Sequence, residues 1–343
     1  MMRGATPSPL APDVYTRDLL TELPVLRTIA DIEARILFNL DSSDIQPHHW
    51  VELARAVHDA LPLYDGVVVV HGTDTMAYTA SALAFLLPGL DRSVVLTGAQ
   101  APLSHVRTDA RTNLVDACHL ATMRIPEVGI AFHSKLLRGC RATKLDAWGM
   151  SAFGSPTCPA LAELGVGVQL GPHILPARSP RVFDPRLDAR VLAVRTFPGL
   201  NPALLQRAIT TGVHGMIIEA FGAGNVPHLE NSLIPVIEKA RTLDVPVVIV
   251  SQSPRGAVDL SRYEGGSAAA RAGAIGAGDM TPEAALTKLM VTLGRVEPPI
   301  ASERLSPSPA PDQPSPAPRG PAERGRVRAA REAFAAIWAG ELG

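Results

Sequence analysis

Lysine is nearly absent from this 343-residue chain. Only four of its 32 basic residues are Lys (Lys135, Lys144, Lys239 and Lys288), and arginine carries nearly all the positive charge. None of the four follows a glycine, so the phosphate-cradling G-x-x-x-x-G-K-[ST] loop is excluded. Cysteine is equally sparse. Cys118, Cys140 and Cys158 form no C-x-x-C pair and cannot build a disulfide framework, which favours a reducing compartment. Charge of one sign is missing too. The 32 basic and 33 acidic residues leave a net charge of −1, which argues against a nucleic-acid binder built on a basic face. No apolar run reaches the length of a membrane span, and the first residues carry no export signal. Also absent are H-E-x-x-H and G-x-S-x-G, while G-x-G-x-x-G is matched only in part at Gly222 and Gly224, with Pro227 in place of the third glycine.

What is present is a globular core and a rhythm. The apolar fraction of 46% excludes global disorder, and the length suggests about two domains. Residues 32–40 read as a strand. Pro47 suits a first helical position, and Trp50, Leu53, Val57 and Leu61 follow at helical spacing. Residues 67–70 are four consecutive valines with no polar alternation, the pattern of a strand buried on both faces. Helix 77–87, strand 93–96, helix 113–122 and strand 128–132 continue the alternation. The fold class expected is α/β: a larger N-terminal three-layer domain with a mostly parallel sheet, then a smaller C-terminal βα domain. Gly- and Pro-rich residues 161–190 read as the linker, and 191–296 as the second domain. Residues 297–322, low-complexity Pro/Ser/Ala, read as an extended linker before a last amphipathic helix within 323–343. Short helix 15–20 is expected near the start.

Four polar clusters fall where strands end: LDSSD at 40–44, HGTDTM at 71–76, TGAQ with PLSHVRTDARTNL across 97–114, and RGCRATK at 138–144. Ligands of open parallel sheets bind beyond the carboxyl ends of strands, so these clusters are a candidate site by position alone. Taken singly, HGTDT is also an ordinary capped strand-to-helix turn, and DSS an ordinary Asx or Ser turn. Lys144 adds weight. A desolvated lysine can act as a base toward a hydroxyl, whereas arginine cannot, and this chain otherwise prefers arginine. Lys144 could deprotonate Thr73 or a water, with Asp74 holding the geometry. A Ser42 hydroxyl with nearby backbone N–H groups could hold a carboxylate, and Asp41 an ammonium group, so the pattern suits a small zwitterion.

These motifs, with FGAGNVP at 221–227 and AGAIGAGDMTPEAALTKL at 272–289, resemble the L-asparaginases, specifically the bacterial cytoplasmic type I. The resemblance covers about residues 13–295 and implies a two-domain amidohydrolase without metal or nucleotide cofactor. It implies hydrolysis of asparagine to aspartate and ammonia, a cytoplasmic homodimer or homotetramer, and neither nucleic-acid nor membrane partners. By motif, Thr73, Asp74 and Lys144 match the family's second catalytic group. Asp41, Ser42 and Ser43 match substrate-holding positions, and the Ala99 carbonyl would face the departing amide. In some members a regulatory asparagine site lies near the segment matching 221–225. The departure is at the front: the family's Thr-Gly-Gly-Thr-Ile motif, with the primary nucleophile, is not found. The expectation is a sheet short of its first strand, a start misplaced at an internal Met rather than a true truncation, and little activity in the chain as written. A non-catalytic asparagine- or aspartate-binding protein is the alternative. An amidotransferase subunit acting on glutamyl-tRNA ranks lower.

Overall fold

The computed structural model describes residues 23–87, 89–177, 182–296 and 325–343. The helix expected at 15–20 and the Pro-rich segment 297–322 lie outside them. In the N-terminal half, α1 (Pro47–Ala60) begins where Pro47 fills the first turn, and Gln46 and His49 cap each other's backbone. Its Trp50, Leu53, Ala54 and Val57 are buried at helical spacing. Then come β1 (Gly66–Val70), α2 (Met76–Leu86), β2 (Ser93–Thr97), α3 (Ala110–Ala121), β3 (Val128–Phe132) and β4 (Lys135–Arg138). Strands β1, β2 and β3 are parallel, with Gly66 opposite Ser93 and Val94 opposite Val128. Helices α1 and α2 cover one face and α3 the other, as the doubly apolar strands require.

Beyond β3 the sheet turns antiparallel through β4, with β5 (Thr143–Lys144) pairing β6 (Phe153–Gly154) as a separate ribbon. The stretch expected as linker then forms a hairpin, β7 (Ala162–Leu164) and β8 (Val168–Leu170), which completes the sheet order β1-β2-β3-β4-β7-β8. Its glycines at 165 and 167 make the turn rather than a linker.

The C-terminal half forms a four-stranded all-parallel sheet, ordered β12-β11-β10-β9. Its elements are β9 (Val191–Arg195), α4 (Pro202–Thr210), β10 (Gly215–Ala220), α5 (Ile234–Thr242), β11 (Val247–Ser251), α6 (Glu264–Ala272) and β12 (Ile275–Gly276). Next, α7 (Pro282–Val296) starts at Thr281, whose hydroxyl accepts from Ala284 N at 3.2 Å, and α8 (Arg326–Ala335) closes the fold. Helix α2 is apolar all round because it lies between the first sheet and α7, in a core that includes Leu83, Leu86, Ala284 and Leu289.

The residues that follow α8 fasten the halves together. The buried Arg141 guanidinium donates to both oxygens of Asp279 (2.8 and 2.6 Å), to the carbonyl of Glu341 (2.6 Å) and to that of Thr157 (3.1 Å). Fully buried Lys288 pairs with the fully buried Glu341 carboxylate. Mutual neutralisation and the surrounding donors make such burial tolerable.

One sequence expectation fails. Residues 32–40 do not form a strand; they have no regular secondary structure, and none of their backbone groups takes part in the backbone hydrogen bonds among the described residues. A strand needs a neighbour. Between this segment and β1 lies an open groove of about 2120 Å³.

Candidate active site

The strand ends bring Thr73, Asp74 and Lys144 together across about seventy residues of sequence. Lys144 Nζ donates to Thr73 Oγ1 at 2.9 Å and to Asp74 Oδ1 at 2.6 Å. Lys144 arrives on β5, held antiparallel to Phe153. Its side chain is 20% exposed while that of Asp74 is 65% exposed, so the group opens to solvent through the carboxylate. The turn before Thr73 is tight: a β-carbon at Gly72 would lie 2.6 Å from Ser42 Oγ, so only glycine fits.

Ser42 is buried against that turn. Its hydroxyl accepts from Asp74 N at 3.3 Å, and its carbonyl accepts from Thr75 Oγ1 at 2.7 Å. Asp41 and Ser43 are instead bound to each other on the exposed side. Asp41 Oδ1 accepts from Ser43 N at 2.8 Å and from Ser43 Oγ at 2.7 Å, which holds the Asp41 carboxyl below its usual range. No described hydrogen bond ties these two to Thr73, Asp74 or Lys144. Ala99 lies in the turn after β2, between Gly98, whose carbonyl accepts from Asn113 Nδ2 at 2.9 Å, and Gln100.

Several residues of the site were not singled out by sequence reasoning. Gln100 Oε1 accepts the Thr73 hydroxyl hydrogen at 3.1 Å, and its amide nitrogen donates to Gly149 O at 3.1 Å. Thr73 thus has a donor in Lys144 and an acceptor in Gln100, and its hydroxyl can rotate to turn its hydrogen toward Lys144. Asp109 clamps the turn by accepting from Gln100 N (3.0 Å) and Ala101 N (3.0 Å). Behind Lys144, Thr143 Oγ1 donates to Glu283 Oε1 at 2.6 Å. Glu283 comes from α7, its other oxygen is buried with no partner, and burial pushes its carboxyl pKa up. On the other flank, His71 Nδ1 lies 2.6 Å from Gly72 O, so this nitrogen carries the proton and Nε2 accepts from Thr79 Oγ1 at 2.9 Å. Burial lowers the His71 pKa and keeps it neutral. The only available signal was spacing: Asp109 and Asn113 stand i, i+4 in a quoted motif, but their partners are fixed only by tertiary folding.

Chemically, the arrangement is a hydroxyl between an amine and an amide, with a carboxylate beside the amine. Among the described residues no cluster of three His, Cys, Asp or Glu could hold a metal. No helix among them is long and apolar enough to cross a membrane.

Comparison with known proteins agrees with the motifs. Residues 1–174 match the family model "Asparaginase, N-terminal", and residues 190–304 match "Glutaminase/Asparaginase C-terminal domain". The chain is 43% identical over 272 residues to an L-asparaginase of Thermococcus kodakarensis, covering 77% of this chain and 80% of that protein. It is 36% identical over 262 residues to L-asparaginase 1 of Escherichia coli K12, covering 75% and 76%. The solved thermostable L-asparaginase of T. kodakarensis superimposes with a TM-score of 0.80 over 95% of this chain and 91% of that one, at 36% identity. With both halves matched in order and the fold shared along nearly its whole length, the chain belongs to the asparaginase family.

Proposed function

We propose that the site hydrolyses L-asparagine to L-aspartate and ammonia, with Thr73, Lys144 and Asp74 as its reacting group. The observation that carries this is the placement of Lys144 Nζ within hydrogen-bond reach of both Thr73 Oγ1 and Asp74 Oδ1. The reaction runs through a threonine ester. A threonine hydroxyl adds to the side-chain amide carbon, the C–N bond breaks, and nitrogen leaves as ammonia with the proton the hydroxyl lost. Water then cleaves the ester to give the second carboxylate and return the hydroxyl. Lys144 moves the proton and Asp74 stabilises it as an ammonium. Asp41 holds the substrate ammonium group, Ser42 and Ser43 its carboxylate, and the Ala99 carbonyl faces the leaving nitrogen. The active form is a homo-oligomer in the cytoplasm.

Turnover by the 343-residue chain is low in this reading, because the Thr-Gly-Gly-Thr-Ile motif that carries the family's primary nucleophile is not found in it. Ammonia release at saturating asparagine, beside calorimetry of asparagine binding, tests it. Thr73→Ala and Lys144→Met each remove the residual rate, by about 100-fold or more, and leave binding measurable. Unchanged rates in either variant would defeat the role assignments. Binding with no ammonia release from the parent chain would instead favour a non-catalytic asparagine-binding protein.

A further inference from the structure

Lys144 sits on one of the shortest strands of the fold. The ribbon of β5 and β6 stands apart from both larger sheets, and its ladder pairs Thr143 with Gly154 and Lys144 with Phe153. A lone two-stranded ribbon is marginal in water. The turn that joins its strands projects outward, with Trp148 94% exposed. Phe153 packs edge-on against Phe132 of β3, with ring centroids 5.0 Å apart, which anchors β6. Strand β5 needs an anchor of its own, because Lys144 Nζ must be held at 2.9 Å from Thr73 Oγ1 and 2.6 Å from Asp74 Oδ1.

That anchor comes from the other half of the chain. Successive side chains of a strand leave on opposite faces, so with Lys144 turned to Thr73, Thr143 is turned away from it. There Thr143 Oγ1 donates at 2.6 Å to Oε1 of Glu283, in the first turn of α7. The helix is firm at this end. Thr281 caps it, and Thr287 Oγ1 donates to the Glu283 carbonyl at 2.8 Å. The same helix shares a core with α2, which starts just after Asp74. One element thus backs both sides of the group: Thr73 and Asp74 through α2, and Lys144 through Glu283. Helix capping alone does not call for this residue. Glu283 is 8% exposed, and its Oε2 is buried with no hydrogen-bond partner among the described residues. Burying that oxygen is a cost the Thr281 cap does not require.

We propose that Glu283 is a positioning residue: through the Thr143 hydroxyl it fixes β5 and so sets the Lys144 amine against Thr73 and Asp74. Glu283 itself touches no reacting atom. Its effect on rate rests on the hydrolytic reading of the site; its effect on the placement of Lys144 does not.

The scarcity of lysine supplies the readout. In the full 343-residue chain, grown on lysine carrying carbon-13 at Cε, NMR signals come from Lys135, Lys144, Lys239 and Lys288 alone, and Lys144→Arg identifies one of them. Lys288 is the control, because it lies on α7 and is held by Ala336 O and Glu341. In the parent the two Lys144 Hε protons should be inequivalent, as in a side chain held in one rotamer. Thr143→Val keeps the shape and removes the donor; it should average the two protons and move the Lys144 signal alone. Glu283→Ala should do the same, and the double variant should add nothing. Glu283→Gln and Thr143→Ser keep the hydrogen bond and should keep the parent signal. In ammonia release, Thr143→Val should lower kcat about tenfold and leave KM within about twofold. An unchanged Lys144 signal in Thr143→Val overturns the proposal, even if Glu283→Ala does not fold. So does a Lys288 signal that moves with it, or an additive double variant. A Glu283→Gln signal displaced as far as that of Glu283→Ala overturns it too, since charge and not the hydrogen bond would then be the cause. A parent chain that releases no ammonia defeats the hydrolytic reading, and the Lys144 signal still decides the placement.

Discussion

Strands β1 and β11 are written almost alike, Gly-Val-Val-Val-Val against Val-Val-Ile-Val-Ser, yet they meet different surroundings. β11 has a parallel neighbour on each side, and its Val247, Val248, Ile249 and Val250 are buried. Among the described residues β1 has one neighbour, and its valines are half covered or, at Val70, exposed. Similar local chemistry therefore suits burial in both cases, but among the described residues only β11 has the second strand that completes it. Apolar patterning states what a strand requires, and pairing decides whether the requirement is met.

Stability separates the two regions most strongly. Ile218→Ala in β10, at a site with no exposure, should cost about 2–5 kcal/mol in urea unfolding, since it opens a cavity in a packed core. Val69→Ala in β1 should cost less than about 1 kcal/mol, because its side chain already borders the groove. Comparable losses would mean that β1 is as well supported as β10.

Acid response comes next, and its sign differs between two carboxyls. Asp188 accepts from the His214 ring (2.7 Å) and from Arg190, which hold its pKa well below the carboxylate range. A depressed folded pKa gives stability that is complete above the unfolded value, about 4, and is lost as pH falls below it. Glu283 is the reverse. Its raised pKa gives stability that is complete below about 4 and is lost as pH rises through the folded value. Glu283→Gln keeps a partner for Thr143 and should remove that loss, so the variant gains on the parent as pH rises. Asp188→Asn should flatten the acid limb. Melting temperatures between pH 3 and 8 read both, and parallel curves for variant and parent would sink the assignments. The smallest effect should come from Val70→Lys at the exposed end of β1. Light scattering at raised temperature should fall while the melting temperature moves little, as expected when a charge blunts an edge.

Much of the architecture was legible because short-range patterns dictate it. Pro47 and the Trp50–Leu53–Val57 spacing fix α1, and unbroken valines fix β1. Segment 32–40 has the composition of a strand but no strand partner among the described residues, and partnership is not written locally. The 161–170 hairpin was hidden because glycines serve a turn and a linker equally well. Within the site, Thr73, Asp74 and Lys144 were readable since each sits at a strand end with distinctive chemistry. Gln100 and Glu283 were not: their meaning comes from the hydroxyls they meet 27 and 140 residues away.

The Arg141 clamp also orders events during synthesis. It and Lys288 bind groups of Glu341, and the Arg141 contact spans 200 residues of sequence. The turn that leads into the strand bearing Lys144 therefore lacks its last partner until residue 341 has been made. Asp279, 138 residues from Arg141, neutralises the guanidinium before that, so the tail supplies the last partner of the clamp and not its counter-charge.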